Sequence, residues 1–228
     1  FWINLDDNYR YLQDGSLIWW SERSGFGHLY RFANGEWSRL TSGSWVVTGL
    51  VGVDEERGRI YFEGNADGVL ERHVYALDLD KPGEWTRLTE PGFVNSASMD
   101  SKGQSLLISR SASNQPPQTY LADTDGKRIA WVEENALDAE HPYTPFLSSH
   151  VTPEFGTVEA EDGTPLHYMM LKPEMEPGKQ YPVFFYHYGG PGPQIVDKGW
   201  DGALAQAARP TIIAPSKMGR LCSVRVAA

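Results

Sequence analysis

From the N-terminus to near Asn135, short runs of Val, Ile, Leu, Tyr, Phe and Trp alternate with clusters of Gly, Asp, Asn and Pro. Runs of that length and makeup, punctuated by turn formers, predict β-strands. In the clearest stretch the predicted strands are Gly49 to Val53, Arg59 to Glu63, His73 to Leu79 and Trp85 to Thr89.

The pattern also repeats. Gly35-Glu36-Trp37-Ser38-Arg39-Leu40-Thr41 recurs 48 residues on as Gly83-Glu84-Trp85-Thr86-Arg87-Leu88-Thr89, with one Ser-to-Thr change. His28-Leu29-Tyr30 returns as His73-Val74-Tyr75 and, more loosely, as Thr119-Tyr120-Leu121. Asp14 to Trp19 is echoed by Asp54 to Phe62 and by Asp100 to Ile108. Four short strands in roughly 40–50 residues is the signature of a propeller blade. The expected fold is therefore mostly β, a partial β-propeller of about three four-stranded blades. Propellers close with about 4–8 blades. Three blades leave two sheet faces uncovered, so the piece is expected either to be marginal alone or to associate through its open blade edges as a homo-oligomer.

After residue 140 the period is lost and Pro142, Pro145 and Pro153 punctuate the chain. The reading is a linker from Ala139 to Phe155, with residues 1–152 as blades and linker and 153–228 as a second domain. Thr157 to Ala160 and Leu166 to Leu171 flank Asp162-Gly163, a strong hairpin signal. Pro182 to Tyr188 is apolar on both faces, as expected of a central strand covered by helices. It runs into Gly189-Gly190-Pro191-Gly192, which permits a sharp turn at the end of a strand, where open α/β sheets carry ligand loops. Asp201 to Ala208 is a short helix candidate.

Composition narrows the function classes. With 30 Asp and Glu against 20 Lys and Arg, the net charge is −10. A field of that sign disfavours binding to nucleic acid or anionic lipid. The single cysteine, Cys222, rules out an internal disulfide and a Cys-rich zinc site. The six histidines show no metal-ligand spacing, so no metal or cofactor is expected. No apolar run approaches the roughly 20 residues that span a bilayer. No targeting signal is visible, which leaves periplasm and cytoplasm both open. The first residues lack an initiator Met, as an excised piece of something longer would.

Blades, Pro-punctuated linker, hairpin and the strand Lys179 to Tyr188 ending in Gly189-Gly190-Pro191-Gly192-Pro193-Gln194 resemble the dipeptidyl peptidase IV branch of the prolyl oligopeptidase family. Gly25-Phe26-Gly27-His28-Leu29-Tyr30 is similar too, and the resemblance covers roughly residues 10 to 206. It implies that the second domain is the start of an α/β-hydrolase catalytic domain. It also implies a parent serine exopeptidase that removes N-terminal dipeptides, preferring proline second, so the implied partner is a peptide substrate. In that family a serine attacks, a histidine takes its proton and an aspartate orients the histidine. The family's tyrosine at this strand end donates to the oxyanion, a role the resemblance gives to Tyr188.

The chain departs from the family in ways that bear on activity. No Gly-x-Ser-x-Gly elbow occurs in it. The nearest match, Gly103-Gln104-Ser105, falls in a predicted blade strand instead of a strand-to-helix turn. Glu133-Glu134 would suit a substrate ammonium, but falls at the end of the last blade and reads as a solvated turn, as does Asp54-Glu55-Glu56. His28 and His73 sit at equivalent places, which points to packing; His187, just before Tyr188, reads as core, with a place lining the site as the alternative. From Ala207 to Arg220 the residues supply at most a four-residue strand bracketed by Pro210 and Pro215, as if the coding frame leaves the family near Ala207. The expectation is a peptidase fragment that is inactive alone. The alternatives are a standalone propeller-type interaction module and, more remotely, an acylaminoacyl peptidase, against which the Tyr-Gly-Gly-Pro-Gly and Gln194 pattern argues.

Overall fold

The structure, a computed structural model, describes residues 7–172, 176–178, 180–181, 183–187, 194–200 and 222–227. The chain divides into two compact units, Phe1–Arg110 with Pro117–Glu134, and Ser111–Pro116 with Asn135–Ala228.

Three four-stranded antiparallel sheets follow one another along the first part of the chain. The first is β1 (Tyr9–Tyr11), β2 (Leu17–Ser21), β3 (His28–Ala33) and β4 (Glu36–Arg39). The second is β5 (Val47–Asp54), β6 (Arg59–Gly64), β7 (His73–Asp78) and β8 (Trp85–Arg87). The third is β9 (Val94–Met99), β10 (Ser105–Ala112), β11 (Gln115–Asp123) and β12 (Arg128–Glu133). Each sheet is ordered as its strands occur in sequence, which is blade topology. This is the expected partial propeller, with the strand ends within two residues of those predicted for the second blade.

Alternation explains how the blades stack. Side chains leave a strand to opposite faces with period two. On the second sheet Ile60, Phe62, Tyr75 and Leu77 join Ile18, Trp20 and Leu29 of the first sheet in one core. Tyr61 and Ala76, one residue out of step, join Leu106, Ile108, Tyr120 and Ala122 of the third sheet in another. The middle sheet is thus covered on both faces, and His73 through Leu77 are all buried. Trp45, in the loop entering β5, wedges between sheets, with its ring 4.9 Å from His28 and 5.0 Å from Trp85.

Two details refine the repeat. β3 and β4 are joined by Asn34-Gly35, both at positive φ (53° and 82°), a two-residue turn of the kind Asn-Gly favours. Phe32 faces Trp37, whereas Leu77 faces Trp85, so the matching hairpin of the second sheet is three residues longer. That is why the His-Leu-Tyr landmark recurs after 45 residues and the Gly-Glu-Trp landmark after 48. The looser third match is corrected by one residue. Tyr120 is the buried partner of Tyr30 and Tyr75, so Gln118, not Thr119, takes the histidine's place. Thr119 has the wrong parity for it.

In the second unit a 3₁₀ turn, Thr144–Ser149, interrupts the linker. The expected hairpin forms as β13 (Glu154–Glu159) and β14 (Pro165–Leu171). β15 (Val183–His187) lies parallel to β16 (Cys222–Ala227), which in turn lies antiparallel to β14, giving the order β13-β14-β16-β15. Among the described strands β15 stands at the end of this order, and Val183 and Phe185 are 49% and 66% exposed. The tail supplies a six-residue strand at Cys222–Ala227, beyond the stretch where a short one was expected; residues 211–214, the helix candidate 201–208 and the loop 188–193 lie outside the described residues.

Candidate functional site

The candidate residue Tyr188 directly follows β15, but it lies outside the described residues, as do Gly189, Gly190, Pro191 and Gly192. What is described is the frame on either side. β15 pairs with β16 from Val183↔Cys222 to His187↔Val226, so in sequence Tyr188 directly follows the carboxyl end of a parallel strand. That end is where α/β sheets place ligand loops.

Beyond the loop, Gln194 to Trp200 is anchored residue by residue. Val196 is fully buried, Gln194 Nε2 donates to its carbonyl at 2.7 Å, and Gly199 N–H donates to Asp197 Oδ1 at 2.9 Å. The Trp200 ring stacks on His150 with centroids 4.9 Å apart and planes 9° apart, while Tyr143 meets it edge-on at 5.2 Å. His150 Nε2 lies 2.9 Å from the Ser113 carbonyl, which can only accept, so this nitrogen is the donor. The Nδ1 of the same ring lies 2.9 Å from the Tyr143 hydroxyl. Trp200 N–H donates to Ser111 Oγ at 3.1 Å. These contacts hold residues 194–200 in place. No sequence signal announces them, because fifty residues separate His150 from Trp200 and no period links them.

The other candidates fall into structural roles. Ser105 opens β10, and its N–H donates to Asp100 Oδ1 at 2.7 Å; it sits on a strand, not an elbow. Glu133 ends β12, and the Glu134 carbonyl accepts from Gln118 Nε2 at 2.6 Å. Asp54 closes its own turn, taking Arg57 N–H on Oδ1 at 3.1 Å, and Glu55 Oε2 accepts from Gln13 N–H at 2.7 Å. No group of three or more His, Cys, Asp or Glu positioned to hold a metal occurs among the described residues. His187 lies in β15.

His28 and His73 are fully buried and wired alike. Each Nδ1 lies 3.0 Å from a threonine hydroxyl, Thr41 or Thr89, which also accepts the next backbone N–H, from Leu29 or Val74. Nε2 donates to the Gly43 carbonyl in one case and to Glu71 in the other. Desolvation holds both imidazoles below the usual histidine range, which suits neutral rings.

Two charged groups inside the propeller escaped the sequence reading. Glu63 Oε1 accepts the Ala97 N–H of β9 at 2.7 Å, so a carboxylate of the second sheet ties down the first strand of the third. Burial pushes its pKa up; the Ala97 bond and Arg72 oppose that. Arg110, at the sheet position of Gly64, donates to Gln118 Oε1 at 2.9 Å and Glu90 Oε2 at 2.6 Å, and lies 4.2 Å over the Phe93 ring. In the third sheet Arg110 and Gln118 replace the glycine–histidine pair of the second.

Comparison with known proteins agrees with this architecture. The family described as "Dipeptidyl peptidase IV (DPP IV) N-terminal region" matches residues 1–117. The chain therefore belongs to the dipeptidyl peptidase IV family. Human dipeptidyl peptidase 8 is 30% identical over an alignment covering 88% of this chain and 26% of that protein. A probable dipeptidyl peptidase 4 of Aspergillus fumigatus is 34% identical over 79% of this chain and 24% of its own length. The crystal structure of Porphyromonas gingivalis dipeptidyl peptidase 4 superposes with a TM-score of 0.79 at 23% identity, covering 96% of this chain and 30% of that one. The chain spans about a quarter of the length of the curated relatives it matches.

Proposed function

We propose that the chain is part of a dipeptidyl-peptidase-IV-like serine exopeptidase that releases N-terminal dipeptides with proline preferred second. Residues 1–152 form blades and linker, and 153–228 open an α/β-hydrolase catalytic domain. Tyr188 donates its hydroxyl to the oxyanion, and the nucleophile, its histidine and aspartate come from elsewhere in the whole enzyme.

The observation that carries this reading is the mixed sheet that follows the blades. An antiparallel hairpin leads into a parallel pair, and Tyr188 is the next residue in sequence after the carboxyl end of β15. A neutral phenol at such a strand end suits a charge that appears only in the transition state. β16, in register with both neighbours, supports a chain that continues to build the sheet past Ala207.

Two measurements test it. The isolated chain should not hydrolyse a Gly-Pro-linked chromogenic substrate, and turnover clearly above buffer would refute the division of the site. Sequencing the encoding locus downstream should reveal a Gly-x-Ser-x-Gly elbow in frame; an open frame that lacks one sinks the peptidase reading.

A further inference from the structure

Separate stretches of the second unit meet at one ring stack. The tip between β10 and β11, Ser111 to Pro116, belongs to this unit. It offers Ser111 Oγ to the Trp200 backbone N–H at 3.1 Å and the Ser113 carbonyl to His150 Nε2 at 2.9 Å. The linker brings Tyr143 and His150, and segment 194–200 brings the Trp200 ring, which lies flat on His150 and meets Tyr143 edge-on. β14 contributes Met169 and Leu171, both buried, which join Ser113, His150 and Gly199 around a cavity of only about 10 Å³. That is roughly the room one water needs, so segment 194–200 has little space in which to shift. The 9° stack fixes the ring of Trp200, and the bond to Ser111 fixes its main chain.

In sequence this anchored segment follows Tyr188 closely. His187, the residue before Tyr188, is in register with Val226, and Gln194 stands six residues after Tyr188. Held chain therefore flanks Tyr188 in sequence on both sides, a strand pair before it and the ring stack after it. A chain tethered at one end samples more conformations than one tethered at both, because closing a short stretch removes conformational entropy in advance. An oxyanion donor must be held within about 0.5 Å of its productive place, and a misplacement of about 1 Å costs on the order of 100-fold in rate. We infer that Trp200, His150 and Ser111 are positioning residues for the peptidase reaction, which hold segment 194–200 against the β10–β11 tip and so deliver the Tyr188 hydroxyl to the oxyanion. This role depends on the oxyanion role proposed for Tyr188. The three residues are not catalytic groups; they act through the chain that leads back to Tyr188.

The test is a double-mutant cycle in the whole enzyme, read as kcat and KM for a Gly-Pro-linked chromogenic substrate. Trp200→Ala should lower kcat by about 10- to 100-fold with KM within about twofold, because the interaction it weakens is made only in the transition state. Trp200→Phe keeps a ring for His150 to stack on and should recover most of that loss. In a Tyr188→Phe background, Trp200→Ala should lower kcat by less than about threefold more, because residues that act through one group are not additive. Ser111→Ala removes only the acceptor of the Trp200 N–H and should repeat the pattern with a smaller loss, about three- to tenfold. That second cycle decides the matter if Trp200→Ala fails to fold. Equal losses in the two backgrounds, a rise in KM alone, or an unchanged kcat overturns the inference and leaves the oxyanion role standing. Full kcat in Tyr188→Phe itself, or a whole enzyme without this activity, overturns both.

Discussion

His28 and His73 carry no catalytic chemistry, yet they set a pH limit on the fold. Burial holds both below the ordinary histidine value, which favours the neutral ring in the folded chain. Unfolded histidines bind protons from about pH 6.5 downward, so below that pH the unfolded chain holds more protons than the folded one. Stability should therefore fall as pH drops through and below about 6.5, by up to about 1.4 kcal/mol per pH unit for each ring. Glutamine already occupies the matching place in the third sheet, so His28→Gln with His73→Gln should flatten that slope. Urea midpoints measured from pH 8 to 5 check this; an unchanged slope would mean the rings do not titrate with unfolding. Gly126 gives a second prediction at this scale. It has φ of +84°, and a Cβ there would press on the Leu88 carbonyl. Gly126→Ala should cost about 2–4 kcal/mol from strain plus clash, read as a lower denaturant midpoint.

Between elements, the informative residue is Glu63. Its carboxylate is costly to bury but satisfies a backbone donor of the neighbouring sheet. Glutamine keeps that acceptor and sheds the charge, whereas leucine leaves the Ala97 N–H without its partner. Glu63→Gln should be neutral or slightly stabilising near pH 8, and Glu63→Leu should cost about 1–3 kcal/mol. The sign follows from the raised pKa: protonation favours the folded chain, so the wild-type carboxylate's penalty appears as pH rises through its folded value. Chemical denaturation at pH 5 and pH 8 separates the two variants. Trp45→Ala should cost about 2–3 kcal/mol, below the full price of a buried tryptophan because this ring is half-buried.

The same scale shows what the sequence made legible. Arg59–Gly64 and His73–Asp78 are readable as short, nearly continuous apolar and aromatic runs, the trace left by a sheet buried on both faces. The third sheet slipped by one residue because Gln118 replaces the landmark histidine, leaving only parity to fix the register. β16 is harder to read: Cys222, Val224 and Val226 alternate with Ser223 and Arg225, but Pro210 and Pro215 before them mark a break in the pattern. The strand leading to Tyr188 was visible as an apolar run. The His150–Trp200 anchor was not, since it depends on which distant segments meet.

Across the whole molecule, protection should be uneven. The second sheet is covered on both sides, while β1, β4 and β12 present mostly exposed side chains. Amides of β6 and β7 should exchange most slowly in hydrogen-exchange mass spectrometry, with β1 and β12 among the fastest strands. Uniform exchange across the three sheets would mean that they open as one unit and that double coverage confers no extra local stability.

The unequal hairpins at the rim have a practical consequence. One sheet turns back through Asn34-Gly35 alone, and its neighbour takes three residues more while keeping the same cores. The Gly83 N–H of the longer hairpin even reaches the Leu40 carbonyl of the adjoining sheet, 2.9 Å away. Length is thus absorbed at the periphery without a toll on the interior, which makes the Asn34-Gly35 tip a natural port for grafted epitopes or fluorescent reporters.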